Sequence, residues 1–239
     1  MKRILKIIKY IGDFLFPPTC HLCDIRLSSH DSFLCQSCIS RLPRTLYHLS
    51  PMNPMEQRFA GLFPFEKATG HFFYSSKSDL SIIMQDLKYK RFRRLGRKLG
   101  AIVGKELFTT SFLSDIDVIV PVPIHFIKKA KRGYNQTEEI AIGISEETGI
   151  EISTDLIASR PHRTQTKLTL EERRKNTSNL FKLKQGGELS ERLKNNPSLQ
   201  ILLVDDVCTT GSTLTSAAEA LHKALPGIRL SILSIGATF

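Results

Sequence analysis

Two adjacent carboxylates, Asp205 and Asp206, end the apolar run Gln200-Ile201-Leu202-Leu203-Val204. After Val207 and Cys208 comes a hydroxyl-rich loop of Thr209, Thr210, Gly211, Ser212 and Thr213, leading into a helical pattern from Ser212 to Ala224. The apolar run is the clearest strand pattern in the chain. Ligands of α/β sheets bind at the carboxyl ends of strands, where this order puts the aspartates. The loop offers hydroxyls and backbone N–H groups, and the helix N-terminus adds free N–H groups and partial positive charge. Gly211 lets the backbone turn tightly and approach an anion. The carboxylates can accept hydrogen bonds from a cis-diol, so a sugar phosphate fits, diol at Asp205 and Asp206, phosphate at Thr209–Thr213. The Gly-Lys-Ser/Thr ending of a Walker A loop is missing, and so is GxGxxG. An isolated Asp-Asp would read as a solvated strand end or a helix cap; this uninterrupted order does not. Cys208 reads as a small filler rather than a reactive thiol.

A second anion-binding segment lies upstream. Val120-Pro121-Val122-Pro123 closes a short apolar run, and Lys128, Lys129, Lys131 and Arg132 follow closely. A strand-end loop with exposed amides beside several cations suits a pyrophosphate. Val122, Pro123, Lys131 and Arg132 are its candidate contacts. Alone, the segment would be a solvated basic turn; beside the hydroxyl-rich loop it reads as the other half of one site. Residues 160–174 are also polar and basic, with Arg160, Arg163, Gln165, Thr166, Arg173 and Arg174. Long polar loops in compact domains are often lids, and Arg163 is the candidate contact from this one.

Four of the five cysteines form two Cys-x-x-Cys pairs, Cys20 with Cys23 and Cys35 with Cys38, eleven residues apart. Each pair sets two sulfurs on one side of a tight turn, and two pairs complete a tetrahedron. Such a site takes zinc, and with four protein ligands it is structural; an iron–sulfur centre is the chemical runner-up. One tight cluster plus a distant fifth thiol argues against a secreted disulfide scaffold and for a cytoplasmic protein.

Lys88, Lys90, Arg91, Arg93 and Arg94 crowd one segment, with Tyr89 and Phe92 among them. Cations follow phosphates and aromatic rings stack on bases, so these are candidate contacts for single-stranded DNA. The competing reading is a solvated helix face packed through Phe92, Leu95 and Leu99.

These groups must be positioned by strands and helices in alternation. Gly70–Tyr74, Asp117–Val120, Leu156–Ala158, Gln200–Val204 and Leu230–Ile235 read as strands. Glu138–Thr148 and Ser212–Ala224 read as helices, Leu80–Leu107 has helical spacing and is heavily basic, and Gln185–Pro197 reads as a surface excursion. The alternation predicts an α/β fold with a mostly parallel sheet and flanking helices. We expect two parts: a basic amphipathic helix and zinc finger over 1–45, and a ligand-binding domain over 46–239. The latter divides into a hood or basic region, 46–110, and a core, 111–239. Residues 1–16 interleave Lys2, Arg3, Lys6 and Lys9 with apolar residues, giving one basic and one apolar helical face. They lack a signal peptide's unbroken apolar stretch, and no run is long enough to span a membrane. The favoured reading is a helix docked on the protein's own core, with peripheral membrane contact as the alternative.

The chain has 239 residues, 41% hydrophobic and 24% charged, which excludes disorder as the default. Thirty-four Lys and Arg against 23 Asp and Glu leave a net charge of +11, which favours phosphate-bearing partners.

The segment Val204–Thr213 resembles the phosphoribosyl pyrophosphate (PRPP) motif of type I phosphoribosyltransferases. Together with Phe16-Pro17-Pro18-x-Cys20-x-x-Cys23, Leu87-Lys88-Tyr89, Val120–Pro123, Arg132-Gly133-Tyr134-Asn135-Gln136 and Gln165–Asn176, it resembles the ComF family over most of the chain. Tyr134 stands where that family usually has Phe. The resemblance implies a type I phosphoribosyltransferase-like fold, an N-terminal zinc finger, PRPP bound with Mg²⁺, and a cytoplasmic role in DNA uptake. It implies a pentosyl transferase in which Asp205 and Asp206 are catalytic and Val122, Pro123, Lys131, Arg132, Arg163 and Val207–Thr213 hold PRPP. The alternative is a non-catalytic PRPP sensor or DNA-binding adaptor. Lys88 and Tyr89, being part of the resemblance, are also candidates to face the sugar-phosphate site.

Overall fold

The computed structural model describes residues 17–28, 33–90, 92–159 and 180–238. The amphipathic segment 1–16, Arg91, Arg163 and the rest of the expected lid lie outside the described residues. In chain order the elements are α1 (Gln36–Arg41), α2 (Pro54–Phe59), β1 (Lys67–Phe73), α3 (Asp79–Tyr89), α4 (Arg93–Phe108), β2 (Val118–Pro121), α5 (Phe126–Arg132) and α6 (Gln136–Thr148). Then come β3 (Glu151–Ile152), β4 (Leu156–Ala158), β5 (Phe181–Leu183), α7 (Glu188–Asn195), β6 (Gln200–Cys208), α8 (Ser212–Ala224) and β7 (Arg229–Ala237).

Five strands form one sheet in the order β1-β7-β6-β2-β3, and every pairing is parallel. A parallel sheet covered on both faces needs apolar residues on both sides of its strands. The central strand β6 meets that need by alternation. Leu202 and Val204 join the core beneath α3, α4 and α6, while Ile201 and Leu203 join the core beneath α2, α7 and α8. The first core also takes in Leu27, Leu34, Ile39 and Leu42, so the cysteine-bearing segment packs onto the sheet's own interior. β4 and β5 pair antiparallel in a separate ribbon. Among the described residues, no helix is long and apolar enough to cross a membrane.

Two readings of the sequence need correction. The helical spacing from Leu80 to Leu107 is broken between Tyr89 and Arg93, giving two helices. No proline or glycine marks the break; Phe92 departs from helical backbone and sets its ring edge-on to His21, with centroids 5.2 Å apart. The expected excursion at 185–197 contains α7. Asp155 supplies its start, with Oδ2 accepting from the Leu189 N–H at 2.9 Å, and Leu189 anchors it in the core.

The closest helix packing is between α4 and α6. A Cβ on Gly100 would stand 2.0 Å from the Ile140 carbonyl, and one on Gly143 would stand 2.0 Å from the Arg97 carbonyl. Backbone therefore lies on backbone, and α6 is held where its N-terminus can reach the end of β6.

Candidate functional site

Asp205 and Asp206 lie near the carboxyl end of β6, and both are largely buried. The two carboxylates are differently placed. Asp205 Oδ1 accepts from the Asp206 N–H at 2.8 Å. Asp206 accepts from the Val207 N–H at 2.7 Å through Oδ1, and through Oδ2 from Gln136 Nε2 at 3.2 Å. The Lys88 ammonium lies 3.0 Å from the same Oδ2. Burial, and then the neighbouring Asp206 charge, hold the Asp205 carboxyl well above the usual carboxylate range.

The loop after β6 turns through Gly211, whose φ of +82° is left-handed, and Gly211 caps α8. A Cβ there would meet Phe59 Cε1 at 2.9 Å, so the glycine serves a close contact on α2 as well as the turn. Val207–Leu214 and Asp205 line a small half-open hollow of about 20 Å³. It adjoins an open cavity of about 400 Å³ and shares Asp205, Val207 and Thr213 with it. Burial is the main cause raising the Cys208 thiol above its ordinary range, which keeps it protonated.

The larger cavity gathers side chains from distant segments. Val122 and Pro123 line it beyond β2, Lys128 and Arg132 from α5, and Lys88 from the end of α3. The segment Arg132–Gln136 builds much of this arrangement. Gly133 ends α5 in a left-handed turn. The Tyr134 hydroxyl donates to the Leu87 carbonyl, next to Lys88. Burial pushes the Tyr134 phenol up to about 12, so it stays a donor. Asn135 Nδ2 donates to the Val122 carbonyl at 3.1 Å, and its Oδ1 caps α6 through the Thr137 N–H. Gln136 then reaches Asp206. The β4–β5 ribbon closes one side with Ala158 and Phe181.

The basic candidates are not all gathered at one place. Lys88, a candidate for both nucleic acid and the sugar-phosphate site, lines the cavity, because the last turn of α3 ends beside β6. Lys131 is exposed and does not line it, since α5 turns Lys128 and Arg132 inward on one face. Lys90 pairs with Asp86 at 3.0 Å. Arg93 donates to the Gly133 carbonyl at 2.7 Å and lies over the Tyr134 ring. Arg93 and Arg94 also line a groove of about 410 Å³ with Phe33, Phe92 and Arg97. Gln136 and Lys128 stand in motif and basic segments of the sequence that do not single them out from their neighbours. Arg58, which contacts the back of the loop, had no signal in the sequence.

The four cysteines come together as a candidate metal site. Their sulfurs all lie within 4.8 Å of one another, and those of Cys23 and Cys35 are 3.7 Å apart. A tetrahedral zinc–thiolate centre with bonds of about 2.3 Å has sulfurs about 3.8 Å apart, so the arrangement fits. The Cys35 N–H points to Cys20 Sγ at 3.3 Å, and Arg41 Nη2 to Cys38 Sγ at 3.2 Å, donors that suit thiolates. His21 turns its Nε2 to Asp86 and so ties this segment to α3.

Residues 82–233 match the family described as phosphoribosyl transferase domain. The chain is 30% identical over 148 residues to "Competence protein F" of Haemophilus influenzae, 60% of this chain and 62% of that protein. It thus spans less than two thirds of that relative's length. It is 28% identical over 208 residues to "DNA utilization protein YhgH" of Escherichia coli O157:H7, 85% of this chain and 84% of that one. The solved glutamine PRPP amidotransferase of B. subtilis overlaps at TM-score 0.37 and 20% identity, over 58% of this chain and 26% of that chain, and carries no part of the fold assignment.

Proposed function

The chain belongs to the phosphoribosyl transferase domain family, among its ComF members, and from that premise we propose that it binds PRPP with Mg²⁺ and transfers the phosphoribosyl group in a cytoplasmic step of DNA uptake. One observation carries this reading: the Asp205–Asp206 pair opens on the same cavity as Lys88, Lys128 and Arg132, and the hydroxyl-rich loop lines the small hollow that adjoins it. In it, the ribose hydroxyls bond to the aspartates and the 5-phosphate sits against the amides of Thr209–Thr213. The pyrophosphate lies toward Val122, Pro123 and Arg132. Transfer breaks the bond from the anomeric carbon to the pyrophosphate oxygen, and the leaving group takes the electron pair. The acceptor supplies the new bond.

Gln136 and Lys88 orient the Asp206 carboxylate before the sugar arrives. Lys88, Lys128 and Arg132 set positive charge where the leaving group develops negative charge. Mg²⁺ would supply further charge neutralisation on the pyrophosphate, and the carboxylate oxygens are hard donors that suit it. The four cysteines are proposed to hold one structural Zn²⁺.

Titration calorimetry with PRPP and Mg²⁺ tests the site. Replacing both Asp205 and Asp206 with Asn removes two charge-assisted bonds to the diol, each worth roughly 1.5–3 kcal/mol. Affinity should fall on the order of a hundredfold. A double variant that is folded yet binds PRPP as tightly as the parent would show the assignment to be wrong.

The groove of Phe33, Phe92, Arg93, Arg94 and Arg97 favours a second activity, weak binding of single-stranded DNA without sequence preference. Charge reversal at Arg94 should weaken such binding, and raised salt should weaken it steeply. Affinity indifferent to both would refute it.

A further inference from the structure

The small hollow at the loop is lined by Asp205, Val207 and Cys208–Leu214, none of them a cation. A phosphate monoester carries close to two negative charges at neutral pH. Positive charge stands behind the loop instead. Arg58 on α2 donates through Nη1 to the Thr209 carbonyl, and the same nitrogen lies 3.6 Å from Cys208 Sγ. Its Nη2 donates to the Thr238 carbonyl at 2.6 Å, just past β7. The next residue, Phe59, fills the space beside Gly211. One turn of α2 therefore braces the loop at Thr209 and at Gly211 and ties it to the end of the neighbouring strand.

The bond to Thr209 has a directional consequence. A trans peptide is planar, so its C=O and the N–H that follows point opposite ways. Arg58 is not among the residues lining the hollow. A Thr209 carbonyl drawn to Arg58 turns the Thr210 N–H away from Arg58. We infer that Arg58 is a positioning residue for the sugar phosphate. It fixes the Thr209–Thr210 peptide with its amide aimed at the anion, and it places a guanidinium charge directly behind the loop. This rests on the sugar-phosphate reading of the site.

The parent chain, Arg58→Met and Arg58→Lys should each be titrated with ribose 5-phosphate and, separately, with inorganic pyrophosphate. Phosphorus NMR would follow the bound ester, with a melting curve for each variant. Arg58→Met should bind ribose 5-phosphate at least about tenfold more weakly, the loss expected when one backbone amide no longer meets the anion. Its pyrophosphate affinity should be unchanged, because that anion is held elsewhere. Arg58→Lys should recover part of the loss, since it keeps the charge but not the fork that spans two carbonyls. A folded Arg58→Met with parental affinity for ribose 5-phosphate would overturn the inference, and so would equal weakening toward both probes. Should Arg58→Met fail to fold, Arg58→Lys decides: intermediate affinity supports the inference and parental affinity overturns it. A parent chain that does not bind ribose 5-phosphate would overturn the reading of the loop itself, a result distinct from any difference between variants.

Discussion

At the scale of single residues, Asp205 is held against the fold's own preference. Burial first, and the Asp206 charge second, raise its pKa above the ordinary carboxylate value. A carboxyl with a raised native pKa contributes stability below its unfolded value, about 3.9, and that contribution is lost as pH rises through the native value. Asp205→Asn removes the ionisable group, and its carbonyl oxygen can still accept from the Asp206 N–H. The variant should therefore melt above the parent at pH 7.5. The gap should shrink toward pH 4. Equal melting temperatures at both pH values would show that the carboxylate is not strained. Which residues were readable at this scale follows from sequence distance. Asp205, Asp206 and the Thr209–Thr213 loop are contiguous, so their order alone states the chemistry. Gln136 and Arg58 meet their partners across 70 and about 150 residues, and no local pattern encodes such meetings.

At the scale of elements, the pairing of α4 with α6 sets the site's geometry. Gly96, Gly100 and Gly104 recur every four residues along α4, and Gly143 faces them from α6. This spacing was visible in the sequence but was absorbed into a general helical pattern, because the partner backbone it accommodates is remote. Gly100→Leu has no room without separating the helices. Overpacking of this kind costs typically 1–3 kcal/mol, so melting should drop by several degrees. Moving α6 also moves Gln136, so PRPP affinity should fall with stability. A variant with unchanged melting would mean the helices can part without cost. Strands β1, β2, β6 and β7 of the main sheet were legible from apolar runs and stop signals, whereas the two-residue β3 was not, and Leu156–Ala158 pairs in the separate ribbon. The break at 90–92 and helix α7 were not legible either, because a ring contact with His21 and a cap from Asp155 create them.

At the scale of the whole molecule, the cysteine segment is part of the main core rather than an appendage. Its Leu34 and Leu42 are buried with Leu87, Leu95 and Leu233. Beside it, Glu106 pairs with Arg44 at 2.6 Å and with His71 at 2.8 Å. Against the opposing cost of burial, those two partners hold the Glu106 carboxyl down at about 2. Elemental analysis of protein purified without added metal should find one zinc per chain. Stripping it with a chelator should lower the melting temperature and make four thiols reactive, since metal binding and folding of such segments are coupled. Iron in place of zinc, or an unchanged melting curve with four free thiols, would rule this out.

The parallel sheet also has an order of manufacture. The loop-bearing strand β6 lies between β2, made long before it, and β7, made after it, and β7 also pairs with β1. During synthesis the carboxylate pair has a neighbour on one side only until residues 229–237 have emerged from the ribosome. Strand β1 waits even longer, for more than 150 residues, with its hydrogen-bonding edge unmet. Until then these strand edges are open to pairing with other chains. A transcript cut short before β7 yields no weakened version of the site, because the strand that carries it has not been locked in place.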